Sequence, residues 1–301
     1  MSGRTPPAPA SPALRALLLG TMAVWGANLA VVKLLLVAME PMLVSALRMV
    51  VAAVAVAAVV AWRRMPWPAL SRRQWLALAG CAFLMVYLNQ IFFTQGVART
   101  AAANAALIIS LNPLVSSMLA ALLLGVRLTP QRIAGVALGF GGVAAVVLHR
   151  PGMDLGSGGL GDLLVFGSVT TWVLGGVMVQ RLARGLDPLF ISAVLNVIGA
   201  ALLVLHLMVR PSPLVYQPAQ IGLQTVLLLV VSGLLATALG GIVWNRALMV
   251  LGVARTALYA YWVPIFGVLF AVLLLGEPLT VWHGVGLAAV LGGTWLGTRS
   301  H

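Results

Sequence analysis

The side chains that most often serve as acid, base or metal ligand number five carboxylates, four histidines and one cysteine in this chain. Their spacing joins none of them into a site. Glu40, Asp154, Asp162, Asp187 and Glu277 lie between apolar runs or at their ends, and His149, His206, His283 and His301 have no partner at the intervals a zinc site or a hydrolytic triad needs. No glycine-rich loop leads into a lysine followed by serine or threonine, so nothing points to ATP hydrolysis. Cys81 stands inside an apolar stretch, which excludes an internal disulfide and any cysteine-held cluster. No catalytic residue, metal or cofactor is expected. What remains is recognition chemistry, carried by polar and aromatic groups in the middle of long apolar runs. Such groups are costly in hydrocarbon and face a bundle interior or a water-filled cavity.

Those groups are few. Trp25 and Asn28 are three apart and share a helical face. Phe83, Tyr87, Gln90 and Thr94 fall at i, i+4, i+7 and i+11, a stripe of aromatic area and hydrogen-bonding groups, with Asn89 beside it. Ser110 and Asn112 precede Pro113; Thr171 precedes Trp172; Asn196 and Thr237 stand alone; Tyr259, Trp262 and Phe266 repeat at i, i+3 and i+7, with Tyr261 adjacent. As cavity lining they would bind a small amphipathic solute; as structural groups they would join helices through hydrogen bonds of roughly 1 kcal/mol each. Arg48 is embedded in an apolar run, where a central arginine costs about 2.5–3.5 kcal/mol. It pairs either with a substrate anion or, turning outward, with Glu40. Pro113 and Pro264 each remove a backbone hydrogen bond in mid-run, which suits a gate hinge or a fixed bend.

The elements that must position these groups are membrane helices. Hydrophobic residues make up 62% of the 301 positions and charged ones 8%, against roughly 25% charged in a soluble domain. Ten runs are near the 20 or so apolar residues that cross a bilayer: 14 to 37, 42 to 62, 74 to 97, 101 to 124, 130 to 149, 161 to 182, 189 to 209, 221 to 247, 253 to 275 and 280 to 298. The inner end of the eighth, from Trp244 to Val250, also reads as a loop. The runs are apolar on every face, which excludes a β-barrel. Residues 1 to 13 carry four prolines and read as a disordered cytoplasmic tail. The first run is too long for a signal-peptide core and is expected to remain as a helix.

A net charge of +13 suggests nucleic acid in a soluble protein, but here the bases sit in short loops where they set orientation. With the N-terminus cytoplasmic, thirteen bases fall on the inner side; Lys33, Arg99, Arg150 and Arg210 fall on the outer side. Both termini are therefore expected in the cytoplasm, with lipid and a small solute as partners and no nucleic acid. The glycine pairs 135/139 and 293/297 offer faces for close helix contact, within a monomer or across a homodimer.

The chain also repeats. Residues 101 to 148 align without gaps on 252 to 299, with about 15 identities in 48 positions that include Pro113 on Pro264 and Gly141-Gly142 on Gly292-Gly293. A second match, offset by 147, sets Trp25 on Trp172 and Glu40-Pro41 on Asp187-Pro188. Five helices per half make the repeats inverted: 14 to 149 and 161 to 298, joined by an external linker at 150 to 160, with a cytoplasmic end at 299 to 301. Secondary transporters recur in this form, with the site near the midplane between halves.

Trp25-Gly26-Ala27-Asn28 with Lys33, then Pro41 and Arg48, Ala102-Ala103-Asn104-Ala105-Ala106 running to Asn112-Pro113, and Leu275-Gly276-Glu277-Pro278-Leu279-Thr280 together resemble the EamA-type branch of the drug/metabolite transporter superfamily. The resemblance covers about residues 14 to 298. It implies a ten-helix inner-membrane carrier exporting amino acids or other small metabolites, with the last helix of each repeat peripheral. The chain departs from that pattern at the end of its fourth helix, where Gly125 is followed by Val126 and Arg127 rather than by an acid. Multidrug or cationic-solute export is the alternative within transport, and a membrane scaffold or intramembrane enzyme the alternative outside it. With no carboxylate or histidine at midspan, downhill facilitated movement is expected.

Overall fold

The computed structural model describes residues 11–124, 129–149, 158–182, 186–209, 216–251, 256, 259–260 and 262–298. The expected cytoplasmic ends, most of the external linker, Tyr261 and the segment Gly125-Val126-Arg127 fall outside the described residues. Those described form helices and short turns without a strand, apart from one isolated bridge between Met39 and Tyr216.

The helices are α1 (Pro12–Ala38), α2 (Pro41–Trp62), α3 (Arg72–Arg99), α4 (Ala102–Ile109), α5 (Asn112–Leu124), α6 (Pro130–Leu148), α7 (Gly158–Leu182), α8 (Pro188–Val209), α9 (Leu223–Val231 continuing to Leu251), α10 (Trp262–Leu275) and α11 (Val281–Thr298). Prolines open α1, α2, α6 and α8, where the missing N–H is one that helix termini leave unpaired anyway. Ser11 caps α1 by accepting from the Leu14 amide at 3.2 Å, and Ser71 and Gln74 form a reciprocal capping box at the start of α3. Gly276, with φ of +65°, ends α10 in the left-handed conformation glycine adopts freely.

Among the described residues six helices are long and apolar enough to cross a membrane, and four shorter apolar ones fill the fourth, fifth, ninth and tenth places. The same two places of each half are thus the short ones. Packing follows the same relation. α1 lies on α10 as α7 lies on α4 and α5, α3 on α7 as α9 on α1, α2 on α8, and α6 on α11. Exchanging the halves leaves this scheme unchanged. α6 and α11 touch closely through glycine: a Cβ on Gly293 would lie 2.5 Å from the Gly135 carbonyl and 2.8 Å from the Gly139 nitrogen. Among the described residues these small faces meet within one chain.

Two local features depart from the sequence reading. The fourth span is two helices, broken at Ser110-Leu111, because the ring of Pro113 cannot follow the carbonyl four residues earlier. Pro113 therefore opens α5 instead of kinking a continuous helix. Residues Trp244 to Val250, read as a possible loop, are helical within α9.

Candidate functional site

Both α3 and α9 carry a π-helical stretch, Phe83–Leu88 and Ser232–Leu239. These stand at equivalent places in the two halves, and π turns leave carbonyls out of α register. The indole of Trp25 exploits one of them, its Nε1–H donating to the Ala236 carbonyl at 2.7 Å. Gly240 makes room for that ring, since a Cβ there would lie 2.6 Å from the nitrogen. Trp25 then meets Trp172 edge-on at 6.3 Å and Trp244 at 5.3 Å.

This tryptophan cluster forms part of the wall of a cavity of about 310 Å³ between the halves, near the lower end of the range for small-molecule sites. Trp25, Asn28, Arg48, Asn89, Gln90, Asn112, Pro113, Trp172 and Thr237 line it, among mostly apolar neighbours. Arg48 is 2% exposed and does not turn outward to Glu40. Its Nε donates to Ser232 Oγ at 2.6 Å, Nη1 to Gln90 Oε1 at 3.3 Å, and Nη2 to Asn28 Oδ1 and Thr237 Oγ1 at 3.4 and 3.5 Å. The Ser232 hydroxyl in turn donates to Asn28 Oδ1 at 2.5 Å. The Gln90 amide donates to Asn89 Oδ1 at 3.2 Å, and the Asn89 amide donates to the Ser168 carbonyl at 2.9 Å. The side-chain oxygens of Gln90 and Asn28 are thus turned toward the guanidinium, and the Gln90 amide nitrogen is turned away to Asn89.

The remaining candidates stand elsewhere. Tyr87 stacks on Phe83 at 5.3 Å and hydrogen-bonds His206 Nδ1 at 2.8 Å, facing α8. The reason is the π-helical stretch: it ends between Tyr87 and Gln90, so the α-helical stripe drawn from 83 to 94 turns onto two faces. Ser110 bonds back to the Leu107 carbonyl, Thr171 to the carbonyls of Gly167 and Ser168, and Asn196 to that of Ser192, all inside their own helical segments. Tyr259 packs with Leu18, Val243 and Ala247, and Trp262 is 45% exposed beside Phe266. Pro264 is buried without reaching the cavity.

Sequence reasoning missed Met85, Phe93, Ser168, Trp244 and Asn245, all in the wall. Trp244 was readable, since Thr237, Gly241 and Trp244 repeat at i, i+4 and i+7 and all three line the cavity.

The wall extends toward the face that carries both ends of the described chain, as far as Val179 and Asn245. At the far face the halves are bridged by hydrogen bonds and an ion pair. Lys33 donates to the Thr100 carbonyl and lies 3.7 Å from Glu277, whose two carboxylate oxygens accept from the Ala102 and Ala103 amides at 2.9 and 3.0 Å. Glu277 thus occupies the positive end of α4. Thr100 donates to Asp162, and at Gly96 and Gly161 α3 and α7 approach backbone to backbone, with a Cβ at either meeting main-chain atoms at 2.8 Å.

A two-repeat helical membrane fold around a central mixed cavity, latched at one face, is that of a transporter. The EamA-like transporter family model matches residues 15–148 and again 159–299, one match per half. The chain belongs to this family, whose members are transporters and not enzymes. Among relatives, a Bacillus subtilis protein named uncharacterized transporter YyaM is 28% identical over 67% of this chain and 66% of its own length. An Escherichia coli protein named probable amino-acid metabolite efflux pump is 26% identical over 91% and 90%. A solved protein chain superposes with a TM-score of 0.69 at 21% identity, covering 96% of this chain and 99% of its own. At that identity the likeness concerns the fold alone.

Proposed function

We propose that this chain is a secondary carrier that exports amino acids or related small amphipathic metabolites across a bacterial-type plasma membrane, by alternating exposure of the cavity and without ATP. The observation that carries the reading is the cavity itself, whose wall sets indole faces beside amides, hydroxyls and Arg48 at the interface of the halves. Inverted-repeat carriers hold their substrates at that place. The E. coli relative's name supports both the direction and the solute class. Organic cations fit less well, because no carboxylate lines the wall among the described residues. The thirteen-to-four distribution of bases supports cytoplasmic termini, which makes the latched face external. The units that rock against one another are 14 to 149 and 161 to 298, and Pro113 with the break before it serves as a hinge.

The test is flux through the purified chain in proteoliposomes loaded with pooled amino acids and metabolites. Substrate-selective exchange that runs down the solute gradient supports the reading. Absence of flux for every pool member, with the protein folded and inserted, overturns it. Accumulation against the gradient that disappears when an imposed pH difference is collapsed keeps the carrier and replaces facilitated movement with proton coupling.

A further inference from the structure

Among the described residues, Arg48 is a cation without a carboxylate partner. Its four hydrogen-bond acceptors, on Ser232, Gln90, Asn28 and Thr237, are all neutral. The four described carboxylates, Glu40, Asp162, Asp187 and Glu277, all lie near helix starts or in the connections between helices. The surrounding dipoles solvate the charge without cancelling it, so the cavity keeps a positive potential in a poorly screened setting. The contacts are also graded. The 2.6 Å bond from Nε to Ser232 anchors the guanidinium, whereas Nη1 and Nη2 reach their acceptors only at 3.3 to 3.5 Å. Charge-assisted N–H to carboxylate bonds form at about 2.7–2.9 Å, and a carboxylate takes two such N–H groups at once. Gln90, Asn28 and Thr237, which hold the loose pair of nitrogens, all line the cavity. Beside them stand Trp25, Trp172 and Trp244, which offer apolar ring area.

An ammonium group finds the opposite conditions. Among the described residues the wall has no carboxylate, the oxygens nearest the site are already turned to Arg48, and the guanidinium charge repels a second cation. We propose that the cavity selects small aromatic or apolar carboxylates, bound through the Nη1 and Nη2 edge of Arg48 against the tryptophans, and that a substrate ammonium group adds nothing to recognition. This deepens the transport reading and rests on it for the identity of the site.

The experiment uses the purified full chain and three probes that share one ring and chain: phenylalanine, 3-phenylpropionate and phenethylamine. In calorimetric titration, 3-phenylpropionate binds at least as tightly as phenylalanine, and phenethylamine at least tenfold more weakly than either. Arg48→Gln weakens both acids tenfold or more and does not weaken the amine, which gains from the loss of the repelling charge. Because that substitution opens a buried network, the ligand series on the unmodified chain decides by itself. Phenylalanine binding tenfold tighter than 3-phenylpropionate, phenethylamine binding as well as the acids, or no binding of the acid each overturns the proposal. Counterflow with the metabolite pool separates the two readings. If the pool exchanges while 3-phenylpropionate does not bind, the substrate class fails and the carrier stands; if the acid binds and nothing moves, the carrier fails and the binding class stands.

Discussion

At the scale of single residues, the groups that are polar in an apolar setting divide into those that face the cavity and those that satisfy one another. Tyr87 belongs to the second kind, its hydroxyl paired with His206 at 2.8 Å outside the cavity wall. Tyr87→Phe is therefore expected to lower stability by about 0.5–1.5 kcal/mol, as the loss of one neutral hydrogen bond does, while leaving substrate flux per folded molecule unchanged. Thermal unfolding in detergent and initial flux rates check the two halves of this statement, and a fall in flux without a fall in stability contradicts it. Much of the cavity wall was legible in the sequence because an Asn, Gln or Arg amid aliphatic residues must have an interior partner, as Asn28, Arg48 and Gln90 do. The facing of Tyr87 was not legible, since the helical period that would predict it fails across a π turn. Trp244 and Asn245 escaped notice because their stretch also reads as a loop, and composition alone does not separate a loop from the end of a helix.

At the scale of elements, the chain puts its irregularities in matching places: π-helical stretches in α3 and α9, and short helices in the fourth, fifth, ninth and tenth places. Hydropathy showed the ten runs but not the interruption at Ser110-Leu111, because the two residues are flanked by apolar sequence on both sides. Pro113 holds that interruption open. Pro113→Ala restores the missing N–H and lets α4 and α5 join, so the expected result is a carrier with near-normal stability, within about 1 kcal/mol, and a severalfold slower turnover. Single-turnover exchange against thermal midpoint separates this from simple damage; unchanged turnover would assign the break a purely structural role.

At the scale of the molecule, the duplication was visible because proline, glycine and tryptophan fell in register, and the exchange-symmetric packing of the ten spans agrees with it. The proposed sidedness rests on charge rather than shape. Single cysteines in the 63 to 73 connection should react only with reagent on the cytoplasmic side and those in 151 to 159 only with reagent outside; the reverse labelling pattern would invert the assignment of the latched face. The latch has no counterpart in the other half, since the residue equivalent to Glu277 at an offset of 151 is Val126 and that equivalent to Lys33 at an offset of 147 is Gln180. Each half contributes the same helices, yet among the described residues the ion pair and the carboxylate-capped helix terminus stand at one end of the molecule.

For a carrier working as proposed, that imbalance has a kinetic signature. The empty protein spends more of its time with the site facing the cytoplasm, so the half-saturating concentration is lower for substrate presented there than for substrate presented outside. A passive carrier cannot favour one direction at equilibrium, so the maximal rates must differ in the same ratio and cancel the difference. Glu277→Gln, which discards the ion pair but keeps one acceptor, should draw the two half-saturation constants together. Measurement in right-side-out and inverted vesicles would show this as a rectification that belongs to the resting protein and not to the gradient.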